Sequence, residues 1–155
     1  MTKTAADIAR MSGLEQVEYL AGSEEPFAPI APFFNMETIS YREGEVVFAA
    51  TPEPKHYNPI GTPIGTVHGG FAATLLDSAC GTAVHTTLRP GQAYTSLEIK
   101  VNFLRAMTAE TGRVTVRGWV VRPGSKAAYA EADIRDAEGR IIASASSTCA
   151  VFEAQ

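Results

Sequence analysis

What this 155-residue sequence lacks narrows it before any motif does. Cysteine is scarce: Cys80 and Cys149 both stand among small apolar residues. That reads as two buried thiols rather than a disulfide framework. No run approaches the roughly 18 apolar residues of a membrane helix, and the N-terminus lacks the basic-then-apolar pattern of a signal peptide. A cytoplasmic chain with no membrane partner is therefore expected. Positive charge is not in excess, with 13 Lys and Arg against 17 Asp and Glu and a net charge of −4. A nucleic-acid partner, which would need a basic face, is not expected either. There is no Gly-x-Ser-x-Gly, so a serine hydrolase elbow is absent, and no glycine-rich phosphate motif occurs. His56, His68 and His85 have no Cys or acidic neighbours at ligand spacing, so no metal is expected.

What is present suffices for one domain with a core of its own: 45% of residues are hydrophobic and 19% charged. Residues 5–21 repeat Ile8, Met11, Leu14, Val17 and Leu20 at spacings of three, which predicts an amphipathic helix that Gly13 weakens and splits. Residues 1–25 thus read as a helical extension of a domain spanning 26–155. An extended, proline-bearing connector follows to Pro32, then strands over 34–41 and 45–51, then a loop over 52–66. Residues 69–87 form the one long uninterrupted helix candidate, apolar on most sides and therefore expected to be buried. Strands follow over 94–104, 112–122, 127–135 and 140–152, the last two joined through Asp136-Ala137-Glu138-Gly139. Two strands, a buried helix and four strands give an α+β fold.

The chemistry concentrates at His68-Gly69-Gly70 and at Asp77, the single charge in the run 71–84. A carboxylate among apolar residues is costly unless it has partners or a task. A glycine at a helix start offers an unpaired N–H and a partial positive charge, the materials of an oxyanion hole. An ordinary helix entry would also use such residues. Asp77 lies about 13–14 Å of helix from His68, too far for one reacting centre within one chain. It is then either a buried carboxylate satisfied by hydroxyls such as Thr74 or Ser78, or it serves a second copy's glycine turn in a two-fold dimer. Cys80, with no His or Lys beside it, reads as a core thiol rather than a nucleophile. The turn Arg122-Pro123-Gly124-Ser125-Lys126 is either solvated or a phosphate cradle built from Arg122, Lys126 and turn N–H groups.

Asn58-Pro59-Ile60-Gly61, Gly65-Thr66-Val67-His68-Gly69-Gly70, Asp77 and the stretch Tyr94 to Arg105 together resemble the hotdog-fold acyl-CoA thioesterases of the phenylacetate-pathway (PaaI-like) type. The resemblance spans about residues 30–152 and implies an antiparallel sheet wrapped around one long central helix. It also implies a set of roles. The Gly69 N–H polarises the thioester carbonyl, with Gly70 beside it, and His68 holds that turn. Asp77 of the partner copy acts as general base or nucleophile. Ser96 orients the Asp or its water, with Thr95 the alternative by strand parity. CoA lies along a dimer interface with its phosphates near Arg105 and the turn carrying Arg122, Gly124, Ser125 and Lys126. The CoA thioester is substrate, no cofactor is needed, and the assembly is a homodimer with shared sites, itself paired into a dimer of dimers.

One departure stands out. The family segment places its Asn six residues before the His, whereas here Pro-Ile-Gly-Thr is doubled, Asn58 lies ten residues before His68, and Thr62 takes the six-residue position. Two rivals keep the fold but change the function. A hotdog hydratase or dehydratase would need Asp and His a few residues apart on one element. A non-catalytic acyl-CoA-binding module would normally carry a DNA-binding segment. The acyl group is left to the packing of Phe33, Phe34, Phe71 and Leu75.

Overall fold

Two capping signatures divide the N-terminal periodic stretch into two helices. In the computed structural model, which describes residues 3–59 and 65–154, Thr4 and Asp7 cap α1 (Ala5–Ala9), and Ser12 and Glu15 cap α2 (Gly13–Ala21). Each pair satisfies N–H groups that have no acceptor within their helix. The connector ends in a 3-10 turn, Ala31–Phe34, so the first strand begins later than its sequence suggests. Strands β1 (Met36–Arg42) and β2 (Glu45–Ala50) lead to a second 3-10 turn at Pro54–His56 and then to α3 (Gly69–His85). Four strands complete the chain: β3 (Gln92–Phe103), β4 (Val114–Arg122), β5 (Ala127–Arg135) and β6 (Ile141–Glu153).

The six strands form one antiparallel sheet in the order β1-β2-β4-β5-β6-β3, curled around α3. This is the expected α+β arrangement. Alternation builds it: Val114, Val116 and Gly118 of β4 are buried while Thr115 and Arg117 face outward. Gly118 is where sheet and helix approach most closely, since a Cβ there would lie 2.3 Å from the Ala79 carbonyl oxygen. The β5–β6 hairpin turns where Asp136 and Gly139 predict it. The Asp136 carboxylate accepts the N–H groups of Glu138 and Arg140, and Gly139 takes φ +78°.

The expected burial of α3 is uneven along its length. Its C-terminal half is enclosed: Ala79 through Val84 are all buried. Its N-terminal half keeps an open stripe of Gly70, Ala73, Thr74, Asp77 and Ser78, none of them buried. Beside that stripe runs β3, which among the described residues pairs with β6 on one side and with nothing on the other. Its end carries the exposed side chains of Phe103 and Leu104, at 61% each. The helical extension docks at the opposite end of α3. Gly13 donates its N–H to the Leu88 carbonyl at 2.9 Å, His85 Nε2 donates to Gln16 Oε1 at 3.0 Å, and Val17 is fully buried.

Candidate active site

The start of α3 is held from several directions, yet one donor is left over. His68 caps the helix in extended geometry (φ −62°, ψ 138°), and its Nδ1 accepts the Gly70 N–H at 2.8 Å. Phe71 donates to the His68 carbonyl at 3.0 Å, and the His68 N–H donates to the His56 carbonyl at 2.8 Å. Among the described residues, nothing accepts the Gly69 N–H. That unpaired donor at the positive end of a 17-residue helix is suited to a developing negative oxygen.

Asn58 reaches this turn despite the doubled segment. Its N–H donates to the Thr66 carbonyl at 2.8 Å and its side-chain amide to Thr66 Oγ1 at 3.0 Å, while Tyr57 and Val67 form an isolated antiparallel bridge. The chain thus leaves at Asn58 and returns at Thr66. The rival position, Thr62, lies outside the described residues. Asn58, His68, Gly69, Phe103, Arg105 and Met107 line one cavity of about 440 Å³. On the other side of His68 a cavity of about 670 Å³ is walled by Phe33, Phe34, His56, Tyr57 and Phe71. Leu75, grouped with these phenylalanines on sequence grounds, is instead fully buried core.

His56 carries no signal in sequence, being a lone histidine in a proline-rich loop. In the fold its Nδ1 accepts the Glu53 N–H at 2.9 Å and its Nε2 donates to the Phe33 carbonyl at 2.7 Å. Its ring packs 4.6 Å from Phe71 and 5.9 Å from Phe34, centroid to centroid. It therefore fastens the 31–34 turn to the segment that leads into α3.

The carboxylate has a hydroxyl partner, Ser96, which the family resemblance implies, rather than Thr74 or Ser78. Ser96 Oγ donates to Asp77 Oδ1 at 3.0 Å, while Thr74 Oγ1 is spent on the Gly70 carbonyl at 2.9 Å. Asp77 is half-buried in the single chain rather than enclosed. Ser96 can reach it because of an irregularity in β3. The β3–β6 register pairs Ile99 with Ser147, Val101 with Ala145 and Phe103 with Ala143, then shifts between Ser96 and Glu98. Counting back by twos from Ile99 would bring Leu97 and Thr95 inward. The bulge turns Leu97 out, 64% exposed, and brings Ser96 to the inner face with Tyr94. Tyr94 lies across Gly81, where a Cβ would meet its hydroxyl oxygen at 2.5 Å.

Cys80 and Cys149 are free and buried. Burial, with the Cys149 thiol adding to it, pushes the Cys80 thiol up to about 12, so it is no nucleophile at neutral pH. Burial likewise pushes the Tyr94 phenol up to about 12. Both groups ionise earlier in the unfolded chain, near 9.0 and 10.0. The stability they contribute is whole below the lower value and drains away as pH rises toward 12. The urea midpoint is expected to fall between about pH 9 and about pH 12, and to fall less in a Cys80→Ala variant.

The two candidate phosphate sites lie at opposite ends of the sheet within one chain. Arg105 follows the end of β3 and lines the cavity that holds Gly69. Arg122, Gly124, Ser125 and Lys126 line a separate cavity of about 440 Å³ beside Tyr129 and Thr148. That turn adjoins the start of β3, where Thr95 pairs with Ala150 and Ala150 with Ala127. About 26 Å of strand separates the two ends. Among the described residues, Arg105, Arg122 and Lys126 enter no ion pair. Gly69 shares its end with Arg105, and Asp77 shares the other with the basic turn. Among the described residues no three His, Cys, Asp or Glu side chains are placed to hold a metal ion, and no helix is long and apolar enough to cross a membrane.

Comparison with known proteins agrees with this fold. The sequence model of the thioesterase superfamily matches residues 64–143. A protein of Saccharolobus solfataricus, provisionally named an esterase, is 29% identical over 116 residues, covering 75% of this chain and 78% of its own. A thioesterase family protein from Silicibacter pomeroyi has a similar structure, with a TM-score of 0.76 and 26% identity over 91% of this chain and 98% of that one. A protein of Streptococcus pneumoniae, described as a hypothetical thioesterase and solved with coenzyme A, superposes with a TM-score of 0.68 at 27% identity, covering 78% of this chain and 88% of that one.

Proposed function

The chain belongs to the thioesterase superfamily, and on that footing we propose that it hydrolyses the thioester bond of an aryl- or alkyl-CoA in a site shared by two copies. One observation carries the reading. The unpaired Gly69 N–H and Asp77 sit on one helix, separated by about 12 Å of it, with Ser96 of β3 bonded to the carboxylate. Neither half suffices for acyl transfer alone, and a two-fold partner placed against the stripe would supply the missing half to each. The bare edge of β3 supports such pairing, and the coenzyme A held by the pneumococcal protein supports a CoA ester as the ligand.

In the proposed reaction the thioester carbonyl points at Gly69. Negative charge that builds on its oxygen is met by the Gly69 N–H and the positive end of α3. Asp77 from the second copy takes a proton from the attacking water, or itself attacks to form a mixed anhydride that water then cleaves, releasing the acid, the free carboxylate and a proton, while Ser96 fixes the carboxylate through Oδ1. Collapse expels the CoA thiolate, which then receives the proton that water gave up. His68 shapes the turn through Gly70, and Asn58 flanks the carbonyl from the Thr66 side. Phosphates of CoA meet Arg105 of one copy and the 122–126 turn of the other.

The test is thiol release from a panel of aryl- and alkyl-CoA esters. The parent is expected to release CoA from at least one member, and Asp77→Asn and Asp77→Ala to lose about a thousandfold in kcat while staying folded. A parent silent on every ester would overturn the hydrolase reading, and folded variants as active as the parent would remove Asp77 from it.

A further inference from the structure

Behind Ser96 the inner face of the sheet holds a second polar layer that the reaction above does not use. Cys149 stands directly opposite Ser96 in the β3–β6 ladder, at the pair where the regular register ends. Residues so paired project to the same side with adjoining Cβ atoms. Cys149 is fully buried, and its Sγ lies 3.9 Å from Ser147 Oγ.

The protons in this layer can be counted. A serine hydroxyl has one proton to give. Ser147 gives its own to the Glu98 carbonyl at 2.8 Å, beside the bulge, and Ser96 gives its own to Asp77 at 3.0 Å. The Ser147 hydroxyl oxygen therefore turns a lone pair toward the sulfur 3.9 Å away, which makes the Cys149 thiol the donor in that contact, and the same side chain stands behind Ser96 across the ladder. An acceptor at that place would compete with Asp77 for the Ser96 proton, whereas a thiol hydrogen does not. Burial keeps the thiol in this role, since it raises the pKa of Cys149 above its ordinary value.

We infer that Cys149 is a positioning residue: its thiol, backing Ser96 across the strand pair, keeps the Ser96 proton directed at Asp77. The inference rests on the reading of Asp77 as the working carboxylate.

The experiment compares full-length Cys149→Ala and Cys149→Ser with the parent, on whichever CoA ester the parent hydrolyses fastest. Cys149→Ala is expected to lose about fivefold in kcat, roughly the worth of one hydrogen bond, with KM unchanged. Cys149→Ser keeps a donor of nearly the same size and is expected to stay near the parent in kcat even though its melting temperature falls. Parent-like kcat in both variants, or kcat that tracks melting temperature across the series, would overturn the inference. Should the parent hydrolyse nothing, the proposed function fails by itself, and crystal structures of parent and Cys149→Ala still decide the point. Ser96 turning away from Asp77 in the variant supports the inference, and Ser96 unmoved refutes it.

Discussion

A Gly69→Pro variant is expected to fold like the parent and to lose about two to three orders of magnitude in kcat, the usual effect of removing one oxyanion donor. Proline normally breaks a helix, but Gly69 is the first residue of α3, where the backbone N–H has no helical acceptor anyway. The residue before a proline must be extended, and His68 already is, at φ −62° and ψ 138°. The substitution therefore deletes one hydrogen atom of consequence. It also adds bulk: a Cβ at position 69 would lie 3.1 Å from Phe103 Cζ, against a ring that is 61% exposed and free to give. Gly69→Ala supplies the control, with the same Cβ and the N–H retained. Thermal melts establish folding, and single-turnover thiol release reads the chemistry. Hydrolysis by Gly69→Pro at a rate close to that of Gly69→Ala would show that the carbonyl is polarised elsewhere.

Inactive chains are also expected to rescue one another. An Asp77→Asn copy keeps its glycine turn, and a Gly69→Pro copy keeps its acid. Paired, they restore one whole site out of two. Random mixing makes about half of all dimers mixed, so the mixture should recover about a quarter of parent activity. Dimers purified through two different tags should recover about half by the same arithmetic. A site built within one chain predicts no recovery at any ratio. The experiment thus separates the shared arrangement from a local rearrangement that brings Gly69 and Asp77 of one chain together.

Much of the fold was legible because its determinants are local. Alternation marks β3 and β4, the Asp136–Gly139 turn marks the hairpin of β5 and β6, and a glycine- and alanine-rich run with Asp77 as its one charge marks α3. The division of the N-terminal helix was partly legible. Gly13 hinted at it, but the decisive marks are Thr4 with Asp7 and Ser12 with Glu15, whose spacing is a capping signal. Other features were illegible in the residue pattern alone because they depend on residues far apart in sequence, and for Ser96 only the family resemblance pointed to Asp77. The Ser96–Asp77 bond joins β3 to α3, and only the bulge at Leu97 selects Ser96 over Thr95. Parity counting fails at such a place, since one extra residue exchanges the two faces. How far the expected burial of α3 extends was illegible for a related reason. Apolarity says that a surface is to be hidden, not whether the chain hides it with its own sheet. His56 escaped notice because its partners are backbone groups, which leave no trace in residue type.

The unpaired margin of β3 has a consequence for the chain's life before assembly. Twelve residues of strand with open N–H and C=O groups, ending in exposed aromatic and aliphatic side chains, are a template to which any extended polypeptide can adhere. Glu98 and Lys100 put charge along that margin, which discourages casual attachment without closing it. A freshly synthesised copy is therefore stickiest in the interval before it meets its mate. Crowded or overheated production of the protein should fail by clumping through this seam sooner than by melting of the core.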